Sequence, residues 1–482
     1  MLIGRKQLLI NGEWRDSSSG ATMPVVNPAT EEVIAEVASA TPADVDAAVA
    51  AARAALSGPW SKMSARERGR LVWKLGERLM EKVDEVARLE TLHNGKPITE
   101  SRHIEIPMAA ECLQYFAGWA DKVQGDTIPV KGSALVYTLR EPLGVVAAIV
   151  PWNFPLLLAM WKVAPALATG NTVILKPASQ TPLTALALGQ LAIDVGFPPG
   201  VLNVITGSGS SVGQAIVEHP GIDKVAFTGD TSTGKGIMRT AAETLKHITL
   251  ELGGKSPNIV FADADLDAAV RGATIGIFYG KGEVCAAGSR LLVDKAIKDQ
   301  FISKVADRTK KMVPGDPLDP KTRLGAISSK SQLERVLNYV NIAKTEGAQL
   351  VAGGARADIG TGKGYFMQPT VFADVTPSMT IAREEIFGPV LAAIDFVDVD
   401  EAIERANDSI YGLAAGVWTR DVKKAHYVAS RLKAGTVWVN TYNVYDAAVP
   451  FGGYKQSGFG REMSRYALDY YTQIKTVWVD LG

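Results

Sequence analysis

Residues 144–161 read Gly-Val-Val-Ala-Ala-Ile-Val-Pro-Trp-Asn-Phe-Pro-Leu-Leu-Leu-Ala-Met-Trp, and Asn153 is the only conventionally polar side chain among these 18 positions. A membrane helix can be that long. Pro151 and Pro155, however, bracket Trp152-Asn153-Phe154 at the middle. Prolines there break the backbone hydrogen bonds that a lipid-exposed helix must satisfy. The stretch therefore reads as a buried strand from Val145 to Val150, a tight turn and a buried helix.

The same alternation continues outward. Thr172 to Leu175, Val201 to Ile205 and Lys224 to Phe227 are short β-rich runs, separated by helical patterns such as Leu183 to Val195 and Ser211 to Glu218. Strands spaced by helices predict parallel pairing through helical crossovers, and so a doubly wound sheet. After Glu251 the alternation resumes with Asn258 to Phe261, Arg290 to Val293, Val390 to Phe396 and Thr436 to Asn440, which predicts a second α/β unit. Upstream, Thr41 to Leu56 and Ala65 to Leu92 read as charged amphipathic helices that cover the first sheet. Gly125 to Arg140 and Tyr471 to Asp480 alternate apolar with polar residues and fit neither unit. Isolated ribbons are marginal alone, so these two are expected to pair with each other or with another subunit.

Composition narrows the class. A chain of 482 residues and 51.4 kDa exceeds one small core, which predicts two or three domains. Hydrophobic residues make up 47% and charged residues 21%, as in ordinary soluble proteins. Lys plus Arg and Asp plus Glu both number 51, so no global field recruits nucleic acid or an anionic membrane. Cys112 and Cys285 allow one bridge at most, which excludes a disulfide framework and suits a reducing, cytoplasmic setting. The opening MLIGRKQLLINGEW has neither the long apolar core nor the cleavage site of a secretory leader.

Several residues carry potential chemistry. Cys285 lies in Gly280-Lys-Gly-Glu-Val-Cys-Ala-Ala-Gly288, where small neighbours leave room for a carbonyl beside the sulfur. A thiol becomes a strong nucleophile when a nearby base or positive dipole raises its thiolate fraction. The plain alternative is a small core residue. Leu250-Glu251-Leu252-Gly253-Gly254-Lys255 sets a carboxylate between apolar neighbours, where desolvation raises its pKa toward that of a general base; most glutamates are instead exposed or ion-paired. Asn153 offers an amide to an oxyanion, or merely caps its turn. Lys176 ends a buried strand, where parallel sheets hold ligands, though a lysine there can also simply reach solvent. Gly207-Ser-Gly-Ser-Ser-Val-Gly213 is one residue too long for the G-x-G-x-x-G fingerprint. Gly229-Asp-Thr-Ser-Thr-Gly-Lys-Gly236 nearly matches a nucleotide P-loop but ends in Gly236 where Ser or Thr must meet the metal. It reads as a strand-to-helix turn whose free N–H groups suit a pyrophosphate. No metal site is expected.

Together these segments resemble the aldehyde dehydrogenase superfamily. The resemblance spans essentially the whole chain, through Pro151-Trp-Asn-Phe-Pro155, Lys176-Pro-Ala-Ser179, Phe227-Thr-Gly229, Leu250-Glu-Leu-Gly-Gly-Lys255, Gly282-Glu-Val-Cys285, Glu384-Glu-Ile-Phe-Gly-Pro389 and Pro450-Phe-Gly-Gly-Tyr-Lys455. It implies an α/β fold of the aldehyde dehydrogenase type: a Rossmann-like cofactor domain (1–121 and 142–252), a catalytic domain (253–456), and bridging segments (122–141 and 457–482). It implies a homodimer or homotetramer acting on a small aldehyde. By resemblance Cys285 is the nucleophile, giving a thiohemiacetal and then a thioester. Asn153 and the Cys285 N–H form the oxyanion hole, Glu251 activates the hydrolytic water, and Glu462 lies near the proton path. Lys176 and Glu385 bind the two riboses of NAD or NADP, with Trp152, Ser179, Gly229, Asp230, Gly253 and Phe387 also in the cofactor cleft. Trp161, Tyr279, Tyr445 and Phe451 line the substrate tunnel.

Two departures matter. NAD-preferring members commonly carry Glu where Ser179 stands, so NADP is expected to be tolerated or preferred. Asp230 replaces the usual Ser; it can cap a helix but repels a pyrophosphate, with Lys235 as a possible counter-charge. Semialdehyde-specific relatives have Arg in place of Trp161, so the aromatic box points to aliphatic or aromatic aldehydes, with a betaine-aldehyde-type substrate as the alternative. CoA-acylating relatives typically lack the base that Glu251 provides. A crystallin-like structural role is the reading from another class, and the retained set of Cys285, Glu251, Asn153, Lys176 and Glu385 argues against it.

Overall fold

The computed structural model describes residues 4–482; Met1 to Ile3, the start of the stretch read for a leader, lie outside the described residues. Five parallel strands form the middle of the first sheet. In spatial order they are His247–Glu251, Lys224–Thr228, Val145–Ile149, Thr172–Lys176 and Leu202–Val204. Apart from Asn203 and the terminal residues Lys176, Lys224, His247 and Glu251, their residues are apolar or Thr, because both faces are covered by helices. The chain runs outward from Val145–Ile149 in one direction, then crosses back to add Lys224–Thr228 on the other side. That reversal leaves a crevice at the carboxyl ends of the two central strands, where open α/β sheets bind ligands.

The 144–161 stretch folds as its prolines dictate. Val145–Ile149 is a fully buried strand, and Pro155 opens a helix, Pro155–Ala168, whose every residue is buried. Asn153 sits in the turn between them. Among the described residues no helix is long and apolar enough to cross a membrane.

The edges were less legible. Leu8–Ile10 and Glu13–Arg15 form a hairpin over Asn11-Gly12 and add antiparallel to the far side of the sheet. Gly458–Phe459 closes the near side against His247–Glu251. The helix expected from Ala65 to Leu92 is two helices, Ala65–Glu81 and Val83–Asn94, parted at Lys82. Asp84 and Glu85 fall in the first turn of the second helix, where acidic side chains favour a fresh N-terminus.

The second sheet orders Gln349–Ala352, Thr370–Ala373, Val390–Phe396, Arg290–Asp294, Pro257–Val260, Ala414–Trp418 and Thr436–Val439, all parallel except the first pair. The residues leading into its strands, among them Gly253, Cys285 and Glu385, turn toward the crevice of the first sheet. The two leftover ribbons pair with each other: Ala134–Pro142 runs antiparallel to Thr472–Asp480 from Pro142↔Thr472 to Ala134↔Asp480, with Thr127–Ile128 alongside. Thr472–Asp480 is the edge, and Ile474 and Trp478 on it are 63% and 65% exposed.

Candidate active site

Two cavities meet at one sulfur. The larger, about 470 Å³, follows the crevice of the first sheet and is lined by Trp152, Asn153, Lys176, Ser179, Gly229, Asp230, Gly253, Glu385, Phe387 and Cys285, among others. The smaller, about 180 Å³, is lined by Phe154, Trp161, Tyr279, Tyr445, Phe451, Cys285 and a rim of Ile, Leu and Met side chains. Cys285 is the one described residue that lines both. Every residue assigned by sequence to the cofactor cleft lines the first cavity, and all four assigned to the substrate line the second. Glu251 and Glu462 line neither.

Local backbone geometry places the sulfur. After the helix Leu266–Phe278 the chain passes through three left-handed residues, Gly280, Lys281 and Gly282. Gly282 has φ +72°, and a Cβ there would stand 2.4 Å from the Gly388 carbonyl carbon, so conformation and close approach both demand glycine. The surroundings of Cys285 disfavour its thiolate. Burial and the carboxylates of Glu385 and Glu251 push the thiol up to about 12, outweighing the N–H groups of Ala286 and Cys285 that favour the thiolate. Motif spacing could not reveal that two acids flank the sulfur.

Asn153 Nδ2 donates to the Glu283 carbonyl at 2.9 Å, while Oδ1 is buried without a hydrogen-bond partner among the described residues. A primary amide carries two N–H groups, so one donor is committed to the Cys285 loop and one is left for a ligand. Glu251 ends its strand fully within the protein, and neither carboxylate oxygen has a hydrogen-bond partner among the described residues. Burial first, then the Glu462 charge, raises its pKa well above the ordinary glutamate value, against Lys162 and Arg461. Glu462 is ion-paired to the buried Lys162, whose Nζ also donates to Thr228 Oγ1 at 2.6 Å. Lys162 went unnoticed in the sequence because it sits in an otherwise apolar helix.

The cofactor side divides into two ends. At one, Lys176 is 3% exposed, so it does not reach solvent; its Nζ donates to the Pro177 carbonyl at 3.0 Å, and burial lowers its pKa to about 8. Ser179 Oγ donates to the Gly207 carbonyl at 3.1 Å. At the other, Glu385 Oε1 accepts from Gly254 N–H at 3.0 Å, and burial lifts its pKa to about 7. A Cβ at Gly253 would fall 2.2 Å from Glu385 Oε2, so any side chain there would displace the Glu385 carboxylate. Phe387 holds φ +61° and meets Trp152 edge to face at 5.3 Å. Gln332 and Arg335, which sequence reading missed, fix this end: they donate to the Phe387 and Glu385 carbonyls at 2.7 and 3.2 Å. Their i,i+3 spacing places them on one helix face, but nothing in the spacing says what that face meets.

Asp230 acts as a helix cap. It accepts from the N–H groups of Ser232 and Thr233 at 2.9 and 3.0 Å and from both hydroxyls at 2.6 Å. Burial alone would raise its pKa, yet these bonds hold it below the usual carboxylate range. Lys235 is not its counter-charge; Lys235 Nζ donates to Gln456 Oε1 at 2.8 Å. In the smaller cavity, Trp161 lies 5.4 Å from Phe451 and 6.2 Å from Tyr445, and Phe154 stacks on Tyr279 at 6.1 Å.

The buried Glu251 carries a stability cost with a definite sign. Its folded pKa exceeds the unfolded value of about 4.3, so above that pH unfolding releases a proton and native stability falls as pH rises toward the folded pKa. The Glu251→Gln enzyme is expected to melt higher than wild type at pH 8, with the gap closing toward pH 5. Calorimetric or fluorescence melts across that range check this, and an equal or lower midpoint at pH 8 contradicts it.

Known proteins fit this geometry. The sequence profile of the aldehyde dehydrogenase family matches residues 14–477. DhaS of Bacillus subtilis is 54% identical over 481 residues, 100% of this chain and 97% of that protein. The mitochondrial aldehyde dehydrogenase of Homo sapiens is 51% identical over 476 residues, 98% of this chain and 92% of that protein. The NAD+ complex of an aldehyde dehydrogenase from Bacillus cereus superposes with a TM-score of 0.98 at 51% identity, covering 99% of this chain and 97% of that one. With this profile and these relatives matched over nearly its full length, the chain belongs to the aldehyde dehydrogenase family.

Proposed function

We propose that this protein oxidises small apolar aldehydes to carboxylic acids with NAD or NADP, through a covalent intermediate on Cys285. The observation that carries the reading is the position of Cys285 at the junction of a polar cleft and an apolar tunnel. A substrate in the tunnel would present its carbonyl to the sulfur. The thiol adds across the carbonyl, forming a C–S bond as its proton leaves, and the developing alkoxide faces the free N–H of Asn153 and the backbone N–H of Cys285.

The cleft suits a nicotinamide dinucleotide: about 470 Å³ of crevice at the carboxyl ends of parallel strands, with Lys176 and Ser179 at one end and Glu385, Phe387 and Trp152 beside the sulfur. The Bacillus cereus relative binds NAD+. A hydride acceptor is what the dinucleotide supplies when bound, taking the Cys285 adduct to the thioester level. Glu251 then takes a proton from water, which attacks the thioester carbonyl and releases the acid and the free thiol. A buried carboxyl of raised pKa is suited to that exchange, with the Glu462 charge adding to the rise and Lys162 opposing it.

The tunnel favours apolar substrates. Its lining includes Ile104, Met108, Leu157, Leu158 and Ile275, and no charged side chain among the described residues. A substrate carboxylate would find no cation there. The tunnel aromatics Trp161, Tyr279, Tyr445 and Phe451 would accept a quaternary ammonium through their faces, yet no carboxylate lines the tunnel among the described residues, so the neutral aldehyde is the better fit. The exposed edge strand Thr472–Asp480, with Ile474 and Trp478, supports assembly as a homodimer or homotetramer.

Two measurements test this reading. Cys285→Ala should abolish aldehyde oxidation while dinucleotide binding, read by protein fluorescence, persists; substantial remaining turnover contradicts the covalent route. For the cofactor, Ser179 places no carboxylate where a 2′-phosphate would be repelled, so initial rates of nicotinamide reduction should be at least as high with NADP as with NAD. Ser179→Glu should lower kcat/KM for NADP by about tenfold or more while sparing NAD. A wild-type enzyme indifferent to NADP would show that Ser179 does not set selectivity.

A further inference from the structure

Behind the two cavities lies a buried polar cluster that the reaction steps above do not use. Its hub is Asn94, the last residue of the helix Val83–Asn94, with no solvent exposure. Asn94 Nδ2 donates to the Trp152 carbonyl at 2.7 Å and the Asn153 carbonyl at 3.4 Å. Its Oδ1 and its own carbonyl accept from Lys281 Nζ at 2.7 and 2.8 Å. Lys281, held in a left-handed conformation four residues before Cys285, is ion-paired to Glu283 at 2.8 Å. The Glu283 carbonyl is the group that takes the Asn153 side-chain N–H. Glu283 is anchored in turn by the N–H and hydroxyl of Ser328 at 3.0 and 3.1 Å. On the other side, Lys96 Nζ donates to the Asn153 carbonyl at 2.8 Å and is ion-paired to Glu105.

The bonds close a circuit. One wall is the Trp152–Asn153 turn at the end of the first sheet; the other is the Lys281–Cys285 loop leading into the second. Only a primary amide offers donors and an acceptor from one plane, so Asn94 can hold both walls at once. A lost partner in such a buried cluster leaves a carbonyl or an ammonium unsatisfied, which drives rearrangement. Neither Asn94, Lys96 nor Lys281 lines either cavity.

We propose that Asn94 is a positioning residue, which sets the Asn153 amide relative to Cys285 by clamping the two walls of the oxyanion site together. The proposal rests on the reading of Asn153 as an oxyanion donor. Removing such a donor typically costs about 10²- to 10³-fold in kcat, and a misaimed one costs less. Asn94→Ala should therefore lower kcat about 10- to 100-fold, with aldehyde KM within about threefold and the dinucleotide Kd unchanged. In an Asn153→Ala background the same change should cost no more than about twofold further, because the amide it aims is gone.

The four-enzyme cycle separates the failures. If Asn153→Ala alone keeps full kcat, the oxyanion reading fails and this proposal with it. If Asn153→Ala is impaired but Asn94→Ala costs the same in both backgrounds, or acts through KM, positioning alone is overturned. Should Asn94→Ala not fold, Asn94→Asp carries the test, since it keeps an acceptor for Lys281 and loses the donors to Trp152 and Asn153. It should show the same kcat loss and the same non-additivity, and full activity in it overturns the proposal.

Discussion

The 2.9 Å hydrogen bond from Asn153 Nδ2 to the Glu283 carbonyl ties the two α/β units together at the point where chemistry is placed. One partner belongs to the turn that ends a strand of the first sheet, the other to the loop that leads into a strand of the second. The first sheet has a crevice at its carboxyl edge, and residues leading into strands of the second turn toward it. Joined this way, the first supplies a cleft for a dinucleotide and the second lowers a cysteine into the cleft's floor. The apolar tunnel on the far side of Cys285 exists because the helix Pro155–Ala168 and the C-terminal aromatics Tyr445 and Phe451 close over the same loop.

Electrostatics at the junction run against easy ionisation. Cys285, Glu251 and Glu385 are all pushed upward, chiefly by burial. In each case burial disfavours the charged form. For Glu251 the cost is visible as two buried carboxylate oxygens with no hydrogen-bond partner among the described residues. Lys162, paired with Glu462, is the nearest compensation.

Much of this was legible in the chain. The alternation of apolar runs with helical patterns gave both sheets, because parallel strands buried on two faces are nearly uniform in polarity. Pro151 and Pro155 were enough to turn an apparent membrane span into strand, turn and helix. The family resemblance placed Cys285, Asn153, Lys176 and Glu385 on the walls of one cleft, and they line it. What failed was long-range. The Asn11-Gly12 hairpin carried a recognisable turn signal, but its docking on the first sheet depends on contacts nearly 200 residues away. The upward shift of the Cys285 thiol comes first from burial and then from Glu385 and Glu251, two acids distant in sequence. Lys235 was assigned to Asp230 by proximity along the helix, whereas its partner Gln456 comes from the other end of the chain. Asn94 carried no signal at all, since a buried amide at a helix end says little until its partners Trp152, Asn153 and Lys281 are known.

The most direct test of the account is to trap the acyl group. Glu251→Gln enzyme, given an excess of an apolar aldehyde and of dinucleotide, should reduce about one nicotinamide per active site and then stall. Mass spectrometry of a digest made under acid should find the acyl mass on the peptide that contains Cys285. An acyl mass on another residue, or stoichiometric reduction with release of free acid at the wild-type rate, would contradict a Cys285 thioester hydrolysed with Glu251 as the base.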